Sequence, residues 1–220
     1  MQWFNNLRLT AKLAVYAAVM VLVAGVIGYA GFTGIAKVAS SAQDLYASET
    51  VPIGHVGRMA KDFQRIRANI AFMMLAVDKA DLEHDHHVVL TLSAEMDSLG
   101  RVFASKMTDP DLKRVYARYD SARTVFLPLQ ERIMSLVLAG QKDQARTLFM
   151  VGDARASAHV IESTIDAMME MKRQSAEKTI AANEQTSATS IEVVLLVLGA
   201  AVAIAALIAL LMGRLMSKTL

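Results

Sequence analysis

The chain has 220 residues, no cysteine, and Lys+Arg 23 against Asp+Glu 21, a formal charge of +2. Without cysteine there is no disulfide scaffold, no thiolate-bound zinc, no iron–sulfur cluster and no haem attached through CxxCH. So small a charge gives no footing for nucleic-acid binding. Hydrophobic residues reach 54%, where an ordinary soluble domain holds about 45–50%, and this apolar excess has to be placed.

Residues 1–12 form a short basic lead, with Arg8 and Lys12 and no acid. Residues 13–35, LAVYAAVMVLVAGVIGYAGFTGI, carry no charge. A helix of about 20 such residues crosses a hydrocarbon core of ~30 Å. The run is longer than the ~7–15 residues of a signal-peptide core, and no clean A-x-A site follows it, so it reads as a retained transmembrane helix. A second run, 191–212, has only Glu192 at its entrance, and Arg214 and Lys218 follow it in 213–220 with no acid. Positive charge at both ends places both termini in the cytoplasm. The intervening residues 36–190 then lie outside, in the periplasm of a bacterium, with the chain passing twice through the inner (cytoplasmic) membrane.

Those residues are enough for one domain. With few prolines and aromatics and many methionines, they favour helix packing over sheet packing. Val77-Asp-Lys-Ala-Asp81, Thr108-Asp-Pro-Asp111 and Leu138-Ala-Gly-Gln-Lys142 are turn signals, with Asp109 suited to an N-cap and Gly140 to a helix stop. They divide the segment into helices at about 36–78, 81–106, 110–139 and 142–190. The expected fold is all-α, an antiparallel up-down-up-down four-helix bundle flanked by two transmembrane helices. Pro52 should kink the first helix. Val56, Met59, Phe63, Ile66, Ile70, Met73 and Val77 make a core seam in steps of three and four. Val151, Ala154, Ala158, Ile161, Ile165 and Met168 make another on the last helix, which turns polar beyond Met168 (Lys172, Ser175, Thr179, Thr186). That polar stretch suits either an element that moves or a hydrated stalk.

The first helix carries a second seam, Ile53, Gly57, Ala60, Gln64, Arg67, Ala71, Met74 and Asp78. Two seams need two partners. One is the bundle core. The other is a second copy of the helix in a homodimer or a neighbouring helix of the same bundle. Arg67 falls in this seam, and a partly buried cation needs a carboxylate. Asp62, Glu162 or Asp166 would supply it internally; otherwise a ligand carboxylate would.

There is no recognisable nucleophile–base pair, no phosphate-binding glycine loop and no HExxH, and Glu83-x-x-His86 has no second copy of the kind a di-iron site needs. An enzyme is not expected, and no cofactor is called for. Asp81-Leu-Glu-His-Asp-His-His87 gathers three of the five histidines. His84 and His87 share a helical face, joined by Glu83, in a spacing open to zinc or copper. The same acids equally suit an exposed first helical turn.

Phe4-Asn-Asn-Leu-Arg-Leu-Thr-Ala-Lys-Leu13, Leu45-Tyr…Val51-Pro-Ile53 and Phe63-Gln-Arg-Ile-Arg-Ala-Asn-Ile70, in this architecture, resemble the sensor half of bacterial methyl-accepting chemotaxis receptors with a four-helix-bundle ligand domain. The resemblance implies a small amino or organic acid held at a dimer interface. Arg67 would grip its carboxylate, with Gln64 and Asn69 beside it and Arg155, Ser157 or Thr164 contributed by the last helix. It implies signalling by movement of that helix and the second span. In that family a HAMP linker and a cytoplasmic signalling hairpin follow. The sequence ends at Leu220, so coupling to a kinase by the family's route is not expected of this chain alone, whether it is a fragment or a free-standing sensor. Similar bundles also front histidine kinases and cyclic-dinucleotide enzymes. The competing expectations are a membrane-anchored scaffold, in which Arg67 is neutralised within the chain, and a periplasmic metal-binding module at His84 and His87.

Overall fold

The computed structural model describes residues 9–216. The basic lead from Phe4 to Arg8 and Lys218 lie outside the described residues. Among those described the chain is helical, with no strand: α1 (Leu9–Leu45), a π-turn (Tyr46–Thr50), α2 (Val51–Leu75), α3 (Lys79–Ser105), α4 (Pro110–Leu138), α5 (Lys142–Met150) and α6 (Asp153–Met216). Two compact units result, one spanning Asp44–Lys178 and one made of the flanks up to Gln43 and from Thr179.

In the flanking unit, α1 and α6 each hold an 18-residue window of mean hydropathy 2.1 and 3.1, of which 0% and 6% is buried. A soluble core helix would bury most of such a stretch; these two are long and apolar enough to cross a membrane. They touch through Asn183, whose amide donates to the Ser41 carbonyl at 3.4 Å.

The central unit is the bundle. Val56, Met59, Phe63, Ile66, Ile70 and Met73 of α2 are each at most 1% exposed, as their spacing requires. Phe63 meets Phe126 of α4 edge-on, with ring centroids 5.3 Å apart, the favoured arrangement for two aromatic quadrupoles. The helix ends at Leu75, so Val77, expected in the core, stands fully exposed. Asp78 instead caps α3, accepting from the Asp81 N–H at 2.8 Å. Asp109 caps α4 in the same way, with Pro110 in the first turn. α4 continues through Pro128, which is exposed, so the missing hydrogen bond falls on the solvent side. Arg123 of α4, 4% exposed, gives its Nε to Asp97 of α3 at 3.0 Å. Gln130 donates to Ser93 at 2.9 Å. These contacts fix α4 against α3.

Two expected elements are altered. The last helix is broken at Val151–Gly152. Gly152 has φ 73°, a left-handed conformation that stops a helix as Gly140 does at φ 76°. Val151 therefore leaves the seam and is 61% exposed, while Ala154, Ala158, Ile161, Ile165 and Met168 are buried. The irregularity expected at Pro52 lies one turn earlier, as the π-turn. The second seam of α2 finds part of its partner inside the same copy. A Cβ on Gly57 would lie 3.4 Å from Met169 of α6, and Gln64 and Arg67 both reach Glu162 of α6.

Asp62 is 4% exposed and its Oδ2 has no hydrogen-bond partner. Burial first, and then Glu95, raises its pKa above the ordinary 3.8, against the pull of Lys61, Arg65 and Arg58. The unfolded chain thus releases this proton at lower pH than the folded one, and Asp62 costs stability as pH rises above 3.8. Asp62→Asn is expected to stabilise the chain by about 1–2 kcal/mol at neutral pH, read as a rise in Tm of a few degrees. The gain should vanish when the melt is repeated below the ordinary carboxylate pKa. Gly152→Ala, forcing a Cβ into the left-handed region, should lower stability by about 1 kcal/mol in denaturant titration.

Candidate functional site

The cluster forms where α2 faces α6. Gln64 and Arg67 are three residues apart and share a face of α2; His159 and Glu162 do the same on α6. Glu162 Oε1 accepts from Arg67 Nη1 and, at 2.8 Å, from Gln64 Nε2. His159 Nδ1 lies 3.6 Å from the other carboxylate oxygen. The Arg67 and Glu162 side chains keep 32% and 25% of their surface exposed, so the pair is reachable from solvent yet largely desolvated. The guanidinium also stands 6.0 Å over the Phe63 ring, a cation–π contact that steadies its position.

A groove of about 520 Å³ opens beside this pair, lined by Lys61, Gln64, Glu162 and Asp166 over a floor of Ala60, Phe63 and Ile165. Its charges are mixed, with Lys61 on one wall and Glu162 and Asp166 on the other. Such a groove can hold a small polar molecule bearing both signs, and exchange of partners at Arg67 needs only side-chain movement.

The structure brings Arg67 and Gln64 together, and of the three carboxylates open to Arg67 it selects Glu162. It does not bring the others to them. The Asn69 amide donates back to the Arg65 carbonyl at 2.7 Å. Ser157 and Thr164 are buried and give their hydroxyls to carbonyls of their own helix, Asp153 at 2.6 Å and Val160 at 2.7 Å. Arg155 is exposed, about 10 Å before Glu162 along α6. His159 and Lys61 are cluster residues that the sequence did not single out, whereas Asp166 was one of the carboxylates open to Arg67. Their signal was present: 159, 162 and 166 repeat at three and four, one step beside the buried Ala158, Ile161 and Ile165.

The metal expectation is not met. His84 and His87 are exposed, and Glu83 is paired with Lys79 at 3.3 Å. Among the described residues no group of three or more His, Asp and Glu side chains is placed to hold a metal ion. Asp81 lies in the first turn of α3 and the rest of the segment in the turns that follow, with Leu82, Asp85 and His86 half-buried.

No curated protein sequence matches the chain. A family model described as a four helix bundle sensory module for signal transduction matches residues 6–187, taking in the whole central unit and all of the first apolar run. That family is sensory, not catalytic. The chain belongs to the family of four-helix-bundle sensory modules for signal transduction, the sensor half found in methyl-accepting chemotaxis receptors.

Proposed function

We propose that this sensory module binds a small carboxylate-bearing ligand on the periplasmic side of the inner membrane, at the α2–α6 face, and passes the signal through movement of α6. The observation that carries this reading is the Arg67–Glu162 pair beside an open groove. A cation desolvated to this degree cannot be left without an anion, so a ligand must offer Arg67 a carboxylate as Glu162 leaves. A ligand that also offers an ammonium group to Asp166 keeps the groove's charge balanced, which favours amino acids over simple organic acids. Replacing an α2–α6 bond by bonds to a ligand changes what holds the two helices together, and the apolar part of α6 carries that change into the second span. Two copies would pair through the half-buried residues of α2 that α6 leaves uncovered.

A second reading keeps Arg67–Glu162 as a structural pair in a membrane-anchored interaction protein. Its support is that Arg67 is already neutralised within one copy.

The test is thermal unfolding of the whole chain in lipid nanodiscs with amino acids and dicarboxylic acids. A ligand at 100 times its Kd stabilises the folded state by about 2.7 kcal/mol. Sensing at this site predicts that Arg67→Ala abolishes the shift, and that Glu162→Gln, by removing the internal competitor, lowers the concentration needed. If Glu162→Gln only destabilises, and no compound shifts either protein at millimolar concentration, the structural reading stands instead.

A further inference from the structure

We propose that the π-turn between α1 and α2 is a helical-phase switch, held by a buried ion pair to α6 and released when α6 moves along its axis. The inference does not rest on Arg67 binding a ligand; it concerns the other end of the α2–α6 contact.

The Val51 N–H bonds to the Tyr46 carbonyl five residues back, where an α-helix would span four. The turn thus holds one residue more than an α-turn. One residue is about 100° of helical phase and 1.5 Å of rise, so the backbone before the turn is offset from α2 by that amount. Pro52 explains its position. A proline has no N–H for the carbonyl four residues earlier, and its ring presses on that carbonyl. Here that carbonyl belongs to Ser48, and widening the turn just ahead of Pro52 relieves the crowding.

The Ser48 carbonyl is not left alone. Lys172 of α6 donates to it at 2.8 Å, and the same ammonium donates to Glu49 Oε2 at 3.0 Å. Glu49 is 7% exposed, and its other oxygen accepts from Ser175 Oγ at 2.9 Å. One lysine on the last helix therefore satisfies both the orphaned carbonyl and the buried carboxylate of the π-turn. The Glu49 carboxylate does not tolerate losing it, since an unpaired buried charge is strongly unfavourable. Beside the pair is a cavity of about 360 Å³ under Pro52, Phe103, Leu112 and Met171, so the turn can re-form without displacing packed core atoms.

These facts define two states. With Pro52 in place and Lys172 seated, the turn is π and the phase offset is kept. When α6 shifts along its axis, Lys172 leaves Ser48 and Glu49 together, Glu49 swings out to solvent, and the turn closes to α with a kink at Pro52. The backbone before the turn then rotates by one residue's phase. An axial shift of the last helix becomes a rotation of the first.

The chain has no cysteine of its own, so single cysteines introduced at 40–46 report helical phase by their reaction with a soluble maleimide. In nanodiscs the unaltered sequence should show protection at Ser41 and Leu45, which are half-buried while their neighbours are exposed. In Lys172→Met and in Glu49→Gln, the protected positions should move by one residue. The exchanged pair, Glu49→Lys with Lys172→Glu, should show the original pattern. Pro52→Ala returns an N–H to Ser48 without touching either charge, and it should give the shifted pattern with new amide protection at position 52 in hydrogen exchange. An unshifted pattern in Pro52→Ala overturns the proposal even if the charge variants fail to fold. So does an unshifted pattern in folded Lys172→Met.

Discussion

The first and last helices of the bundle are bound to each other by charge at two depths. In the π-turn just before α2, Glu49 meets Lys172 and Ser175; further along, on α2, Gln64 and Arg67 meet Glu162. Between them Gly57 allows Met169 within 3.4 Å of where a Cβ would stand. As the position rises from 49 in the π-turn to 57 and 64 on α2, the partner on α6 falls from 172 to 169 to 162, which fixes an antiparallel register. Ion pairs this desolvated add little net stability, because the desolvation they suffer offsets most of their attraction. What they do well is specify register. The apolar seams give the bundle its cohesion, and the polar contacts say at which step the two helices rest.

This division accounts for what the sequence disclosed. Apolar seams are periodic, and the repeat at three and four is enough to place Val56 to Met73 and Ala154 to Met168 in the core. Periodicity is silent on where a helix stops. Val77 and Val151 satisfy the repeat arithmetically, yet both lie outside, because a cap at Asp78 and a left-handed Gly152 end the helices first. Gly140 was readable as a stop because the surrounding pattern lapses there; Gly152 was not, because apolar residues continue on both sides. The π-turn has no periodic signature at all. Its cause, the Ser48 carbonyl beside Pro52, is a local steric fact that becomes visible only with the lysine that answers it.

Site residues were legible to the extent that they needed a partner. Arg67 in a seam demands a carboxylate, and Glu162 was one of three that qualified. Asn69, Ser157 and Thr164 were placed by resemblance, with no demand of that kind. Each can satisfy itself on its own helix backbone, which short polar side chains do readily. In the polar stretch of α6 beyond Met168, the expectation of a hydrated stalk does not hold at two residues. Lys172 and Ser175 are neither loose nor hydrated; they are engaged by the π-turn. On the opposite, exposed side Arg173 bridges Glu170 and Glu177. Hydrogen bonds from Arg173 and Gln174 pull the Glu170 carboxyl down to about 2. Pairs at three and four along a helix support it where packing does not, so α6 stays helical past the end of its apolar seam.

An apolar interface between two helices resists separation in proportion to area, and a small axial slide changes that area little. It is therefore a poor detector of sliding. A charge pair is more sensitive: a slide of one helical rise, about 1.5 Å, across a 3 Å hydrogen bond stretches it to about 3.4 Å and tilts it, to the edge of useful geometry. A bundle meant only to stand needs seams alone. This one sets charged contacts at two depths along the one pair of helices that continue into both apolar flanks. Its cohesion is thus insensitive to α6 position while its register is sensitive to it, the combination that lets a folded domain report a small movement without coming apart.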